Sequence, residues 1–435
     1  MKKLILLLFI PLVFTCSGGD SGSDDSNNPC PNQPQLTTLE VSNISIDEST
    51  DLASATFSGE IQNIQLGANC ETFSITNQGF VYSTNIQPTT SDNVVNANGE
   101  NASANVSDLM PETTYYVRAY LTNTLGTFYG NEVSFTTPES TNPVYLAENG
   151  VTVKAKDWAE VGMSGEINGV TYTIVDRPML ETMIANEEDV TVVCTTLISD
   201  MNTLFYGNQT FNQEIGNWDV SNVTDMHQMF ARGIFNQNIN SWDVSSVTNM
   251  SFMFGGNDTL EPDYISPYNK PLDNWDVSSV TNMMAMFNAS AFNQDISSWD
   301  VSSVTNMQAM FSNATSFDMP LDNWDVSNVT IMHAMFFSSN ELPFNQPIGN
   351  WDVSNVTDMG GMFGRSKYFN QDISSWNVSN VTDMWWMFIW AEVFNQDLSN
   401  WDVSNVNSCN DFCEETPNWT LPKPNFNNCG DIGCD

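Results

Sequence analysis

The chain has 435 residues, enough for two or three domains, and its 41% hydrophobic content leaves room for a sizeable core. Acidic residues outnumber basic ones by 52 to 11, a net charge of −41, which argues against nucleic acid as a partner and favours cations or basic partners. Only two histidines are present, a poor basis for a histidine-built active site or metal centre.

Lys2 and Lys3 precede an apolar run, Leu4 to Phe14, too short to cross a bilayer. Cys16 follows at once in Leu12-Val13-Phe14-Thr15-Cys16. This start resembles a bacterial lipoprotein signal, in which cleavage leaves the cysteine first and acylated; Thr15 is larger than the Gly, Ala or Ser usual before it. An ordinary signal peptide with a chance cysteine is the competing reading. The expected assignment is a signal over 1–15 and, after the lipidated Cys16, an acidic tether over 16–37 built of Ser, Gly, Asp, Asn, Pro and Gln. Acidic residues soon after such a cysteine resemble the surface-export tethers of Bacteroidetes lipoproteins. The implied location is the bacterial outer membrane or cell surface, facing outward, with membrane contact only through the anchor.

Residues 38–137 alternate apolar and polar in short runs, such as Ala55-Thr-Phe-Ser-Gly-Glu-Ile61 and Gly79-Phe-Val-Tyr-Ser83, separated by turn residues. That pattern predicts an antiparallel β-sandwich. Leu109, Pro111, Thr113 and Tyr115, with Asn123-Thr-Leu-Gly126 behind them, resemble the tyrosine corner of fibronectin type III-like domains. The resemblance implies a spacer or adhesion module. Residues 138–197 read as a cap, with one or two strands at Asp157-Trp158 and Gly169–Val175 and a helix over Arg177–Glu187 whose Met179, Leu180, Met183 and Ile184 share a side.

From 198 to 413 the chain repeats itself. Tryptophans stand at 218, 242, 275, 299, 324, 351, 376 and 401, in steps of 24, 33, 24, 25, 27, 25 and 25. Eight residues after each Trp comes a Met, replaced by Cys409 in the last copy, and three further on, in the first seven copies, a Met-Phe pair. Such a period predicts a solenoid, since a unit this short covers its apolar face only by stacking. Ile215-x-x-Trp218-x-Val220 has leucine-rich-repeat spacing and predicts a strand with Trp218 and Val220 inward. Val223, Met226, Met229 and Phe230 then suit a helical or 3₁₀-like return. The whole is read as mainly β: a sandwich, then a capped leucine-rich-repeat-like solenoid with a cysteine-containing C-terminal cap over 414–435.

The copies, reading Phe-Asn-Gln-x-Ile-x-x-Trp-Asp-Val-Ser-x-Val-Thr-x-Met-x-x-Met-Phe, resemble the BspA-type leucine-rich-repeat surface proteins, with Trp and Met where Leu is usual. The resemblance implies adhesion or protein interaction at a bacterial surface and no enzyme activity. It leaves the ligand, protein or glycan, open. The alternative is a polysaccharide-binding accessory lipoprotein of a nutrient-uptake system.

Several residues compete for functional roles. The Trp, Met and Phe columns are read as core. The column Asp219, Asp243, Asp276, Asp300, Asp325, Asp352 and Asp402, with Asn377 in the remaining copy, sits on the outward side of the expected strand. Strand neighbours lie about 4.8 Å apart, and carboxylates at that spacing repel by about 1 kcal/mol in water. Either backbone amides of the Ser-Asn-Val turn offset this, as Asn377 suggests, or calcium does. Cys409, Cys413, Cys429 and Cys434 suit two disulfides of undetermined pairing, with a four-cysteine zinc site as rival. Cys194 is the odd thiol. The Asn-Val-Thr triplets are read as turns, and His227 and His333 as surface residues. No Gly-x-Ser-x-Gly, His-Glu-x-x-His or phosphate loop occurs. Recognition is expected where copies depart from the repeat: Glu261, Asp263 and Tyr264 in the long second link, and Trp385, Trp386 and Trp390 in the seventh copy.

Overall fold

The computed structural model describes residues 34–47, 50–62, 74–256, 264–339, 341–430 and 432–434. The leader, Cys16, Cys30, Cys70, most of the tether, Glu261 and Asp263 lie outside the described residues. The chain divides into two compact units, Met1–Ser45 with Ala53–Pro138 and Ile46–Leu52 with Glu139–Asp435.

The first unit carries strands β1 Gln35–Thr38, β2 Ser42–Asp47, β3 Leu52–Gln62, β4 Asn77–Ser83, β5 Asn93–Asn96, β6 Asn101–Leu109, β7 Thr114–Asn123 and β8 Gly126–Thr136. They form two four-stranded sheets: β3 pairs with β1, β2 and β6, and the other runs β5-β4-β7-β8. Alternation along β3 buries Ala53, Ala55, Phe57 and Ile61, as the period of two dictates. Phe57 meets Phe80, Tyr82 and Phe135 edge-on at 6.0, 5.4 and 5.8 Å, so the two sheets face one another across an aromatic core. The Tyr115 hydroxyl accepts from the Met110 amide at 3.0 Å, and the Thr113 hydroxyl donates to the Pro111 carbonyl at 2.7 Å, locking the loop before β7.

The second unit opens with β9 Val144–Leu146 and β10 Val153–Ala155, then β11 Ser164–Ile167, β12 Val170–Ile174 and β13 Val193–Cys194. Asp157-Trp158, expected in a strand, lies in a turn just past β10. Helix α1 spans Arg177–Ala185. Asp176 caps it by accepting from the Met179 amide at 3.0 Å, and Leu180 is its buried residue. Arg177 reaches off the helix to the carbonyls of Asp200 and Asn202, tying the cap to the first half copy. No helix among the described residues is long and apolar enough to cross a membrane.

The repeats stack, but not on the expected strand. Ile215, Trp218 and Val220 are all buried, whereas a strand would set Ile215 on the face opposite Trp218. Two tight turns resolve this: the Trp218 amide closes on the Ile215 carbonyl at 3.1 Å and Val223 on Val220 at 2.9 Å. Nor is the following segment helical. In the fourth copy the amides of Met307, Ala309, Phe311 and Asn313 donate to Ile331, His333, Met335 and Phe337 of the next copy. The intervening amides of Met310, Ser312 and Ala314 close three-residue turns on Met307, Ala309 and Phe311. Copies therefore pair in parallel, through Asp225, Asn249, Asn282, Asn306, Ile331, Asp358, Asp383 and Ser408.

Side chains extend the ladder. Each Trp of the column is buried, and its indole N–H donates to a carbonyl of the preceding copy or cap, from Val190 for Trp218 to Ile373 for Trp401, at 2.9–3.3 Å. Phe rings stack from copy to copy, as in Phe287–Phe311–Phe336, at 5.8 Å. At the C-terminal end Cys409 is bonded to Cys429 and Cys413 to Cys434, and Cys194 is a buried free thiol.

Replacing Trp299 by Phe removes the bond to Leu272 and part of the ring volume. The expected loss is about 2–4 kcal/mol in denaturant melts, with a lowered melting temperature. A loss no larger than an ordinary surface substitution, about 0.5 kcal/mol, would show that the indole bond adds nothing.

Candidate functional site

The acidic column closes turns. Asp219, Asp243, Asp276, Asp300, Asp325, Asp352 and Asp402 each accept, through Oδ1, the amide of the Ser two residues on, at 3.0–3.2 Å. Asn377 does the same with its amide oxygen at 3.2 Å. The column thus lies on turns rather than on the outward face of a strand. Hydroxyls and amides of Ser302, Ser354 and Ser404 hold the Asp300, Asp352 and Asp402 carboxyls below the usual carboxylate range. Asp219 differs, being buried, accepting from the Thr196 hydroxyl at 2.6 Å and lying 3.5 Å from the Lys154 ammonium. Among the described residues no three metal-ligating side chains converge.

The seventh copy gathers the unusual aromatics. Trp385 and Trp386 stack with ring centroids 4.0 Å apart and planes 17° apart, both half-buried. The Trp386 indole donates to the Asp411 carboxylate at 3.2 Å, so it leans on the eighth copy without being enclosed by it. Trp390 is 39% exposed, with the Arg365 guanidinium 4.2 Å above its ring. Trp386 and Trp390 hold φ of 58° and 55°, a left-handed backbone rare for so bulky a residue. Tyr264 does not join this patch. It sits on the second link, half-buried, donating its hydroxyl to the Gly233 carbonyl at 2.7 Å, and burial pushes its pKa up.

A family model described as "Mycoplasma protein of unknown function, DUF285" matches residues 177–266, 263–343 and 321–425. Together these matches span more than half of the chain, from α1 through the repeats into the C-terminal cap. The chain belongs to this family. The DUF285 description assigns no activity. No curated protein matches the chain.

Two features escape inspection of the sequence. His333, expected at the surface, is partly buried with Nδ1 3.2 Å from Asp358 Oδ1. That hydrogen bond raises the His333 pKa against the opposing effect of burial, and the charges of Asp358 and Asp383 add to it. Burial pushes the Asp358 carboxyl up, but bonds from His333 and the Gly360 amide outweigh it and hold the carboxyl low. The partners stand in adjacent copies, so only the stacking reveals them. The second feature is a cleft where the N-terminal cap meets the first two copies; its lining is drawn from five separate stretches with no shared motif.

With the column closing turns, melting temperature is expected to be unchanged by millimolar calcium or chelator, and Asp276→Asn to match the parent while Asp276→Ala falls below it. A calcium-dependent rise abolished in Asp276→Asn/Asp300→Asn would make the column a metal site instead. The lowered Asp pKa values contribute stability that is present above their unfolded value, about 3.9, and lost as pH falls through the lower folded one. For His333 the sign reverses. Its contribution is complete below the unfolded value, about 6.5, and lost as pH rises through the higher folded value. NMR titration should place His333 above 6.5, and the melting difference between parent and His333→Asn should shrink across that window. A titration at or below the free value would remove the pair.

Proposed function

We propose that this chain is a surface-displayed recognition protein, anchored through a lipidated Cys16 and binding a protein or glycan with its repeats. In this reading the first unit is a fibronectin type III-like spacer and the second a capped leucine-rich-repeat-like solenoid of BspA type. The Tyr115–Met110 bond supports the first label, and the parallel inter-copy pairing supports the second. Recognition is assigned to the departures from the repeat, because repeated positions are committed to stacking.

The observation that carries the proposal is the indole cluster of copy seven. Trp385, Trp386 and Trp390 occupy places that in other copies hold His227 and Gln228, Gln308 and Ala309, or Gly360 and Gly361 for the pair, and Arg232 or Asn313 for the third. They keep solvent-accessible ring surface, which fits the large, rigid aromatic anchors of binding surfaces.

The test uses the chain on arrays of extracellular proteins and glycans, then compares the parent with Trp385→Ala/Trp386→Ala on the strongest hit. The expected loss is about 2 kcal/mol or more, about thirtyfold, with melting temperature unchanged. A large fall in melting temperature would make the indoles core. Unchanged binding by a stable variant would place recognition elsewhere.

A further inference from the structure

We infer a second binding site, for a neutral carbohydrate, in the cleft where the N-terminal cap meets the first two copies. The cleft encloses about 620 Å³, inside the range of about 300–1,000 Å³ usual for small-ligand sites. It is independent of the copy-seven indoles.

One wall is apolar. Val151 and Val170 expose 44% and 39% of their surface, large fractions for aliphatic side chains, and Tyr172 stands two residues along β12 from Val170. The other wall is polar and mixes acceptors with a donor: Asn238 takes the Asn240 amide on its oxygen at 3.0 Å and presents its amide nitrogen. The Asn217 amide nitrogen is already spent on the Thr191 carbonyl at 2.8 Å, and that of Gln237 on the Asn212 carbonyl at 3.1 Å. Gln237 therefore retains its oxygen for a ligand, whereas Asn217 Oδ1, without a hydrogen-bond partner, is buried beneath the cleft surface. Glu214 adds an exposed carboxylate. No lining residue is basic.

This lining selects its ligand. An anion would meet the Glu214 carboxylate and a net charge of −41, with no basic side chain to offset them. A purely apolar ligand would leave the acceptors unpaired. A pyranose satisfies both walls: its hydroxyls donate to Glu214 and the Gln237 oxygen and accept from the Asn238 amide, while its C–H face lies on the valines and Tyr172. A basic peptide finds one carboxylate for its charges and a wall that offers them nothing, so the sugar is the better match.

The experiment is calorimetry and saturation-transfer NMR on the full chain with cellotetraose, xylotetraose, mannotetraose, maltotetraose and chitotetraose, with a lysine-rich peptide alongside. At least one sugar is expected to bind, and Glu214→Ala and Tyr172→Ala each to weaken it about tenfold. The Trp385→Ala/Trp386→Ala variant should bind that sugar as the parent does. Tyr172 packs against the core around Ile174, so if its variant unfolds, the exposed Glu214→Ala decides alone. Binding of no sugar, binding of the peptide only, or sugar binding indifferent to Glu214→Ala overturns the inference. Sugar binding lost only with the indoles would instead assign it to copy seven.

Discussion

Everything in the repeat region depends on each copy completing the hydrogen bonds of its neighbour. A buried backbone that is neither helix nor sheet must still pair its amides and carbonyls. Here alternate amides reach the next copy and the others close turns, as Met307 to Ala314 illustrate. The first and last of those turns take a left-handed third residue, Ala309 and Asn313. Thr203, Gln228, Phe252, Ala285, Ala309, Ala334, Trp386 and Asp411 all supply one at φ between 53° and 58°, and Gly361 fills the place once without strain. A second left-handed place follows four residues later in most copies, at Arg232, Ala289, Asn313, Arg365, Trp390 and Glu415. Two such residues cost about 2–4 kcal/mol per copy. Four inter-copy amide bonds at about 1 kcal/mol each offset that strain. The strain is tolerable only within the stack, so an isolated copy has no reason to keep its shape.

The sequence repeats because the partner of each position is a fixed position one copy away. Asn236 donates its amide to the Asn212 side chain, Asn269 to Asn236, Asn293 to Asn269. Gln237, Gln346, Gln371 and Gln396 each reach the carbonyl of the residue in that Asn place one copy earlier. Asn328, Asn355, Asn380 and Asn405 donate to the Ser carbonyl of the preceding turn. The Asn of the Asn-Val-Thr triplets is thus a cross-copy strut. Asp318 takes the Asn place in one copy and accepts from the Asn345 amide just as Asn would, which shows that the acceptor oxygen is what the position requires.

The period, the buried columns, the alternation of β3 and most of α1 were all legible from residue type and spacing, whereas β4 buries Gln78, Gly79, Phe80 and Val81 in succession instead of alternating. What misled was local geometry. Ile215-x-x-Trp218-x-Val220 satisfies leucine-rich-repeat spacing, but three-residue turns place apolar residues at the same intervals, and periodicity alone does not separate the two. The indole hydrogen bond was the missing signal: a Trp invariant through eight copies asks for a buried N–H acceptor, which leucine would not. Asn377 in the Asp column pointed to turn closure because it replaces a carboxylate while keeping the acceptor. The cleft beside Tyr172 and the His333–Asp358 pair were illegible, since both depend on which residues of neighbouring copies fall side by side.

The way the stack ends bears on where recognition can evolve. Along the column Phe rings lie nearly parallel, but Phe412 turns 80° to Phe388, and Trp419 stands at 73° to Phe388 and 84° to Phe394. Edge-on rings offer no flat face to a further copy, so the stack is closed by ring orientation as well as by the disulfides. The Trp419 indole still donates to the Gln396 carbonyl, keeping the ladder bonded to its last rung. Within the closed stack, the two residues after each repeat Met contribute their backbone to the ladder while their side chains vary from His-Gln to Gly-Gly to Trp-Trp. The fold therefore constrains the φ of those places more than their chemistry. A surface can change there, copy by copy, without disturbing the bonds that hold the copies together, and copy seven has used that freedom to set an indole on a backbone that other copies give to residues from glycine and alanine to glutamine and phenylalanine.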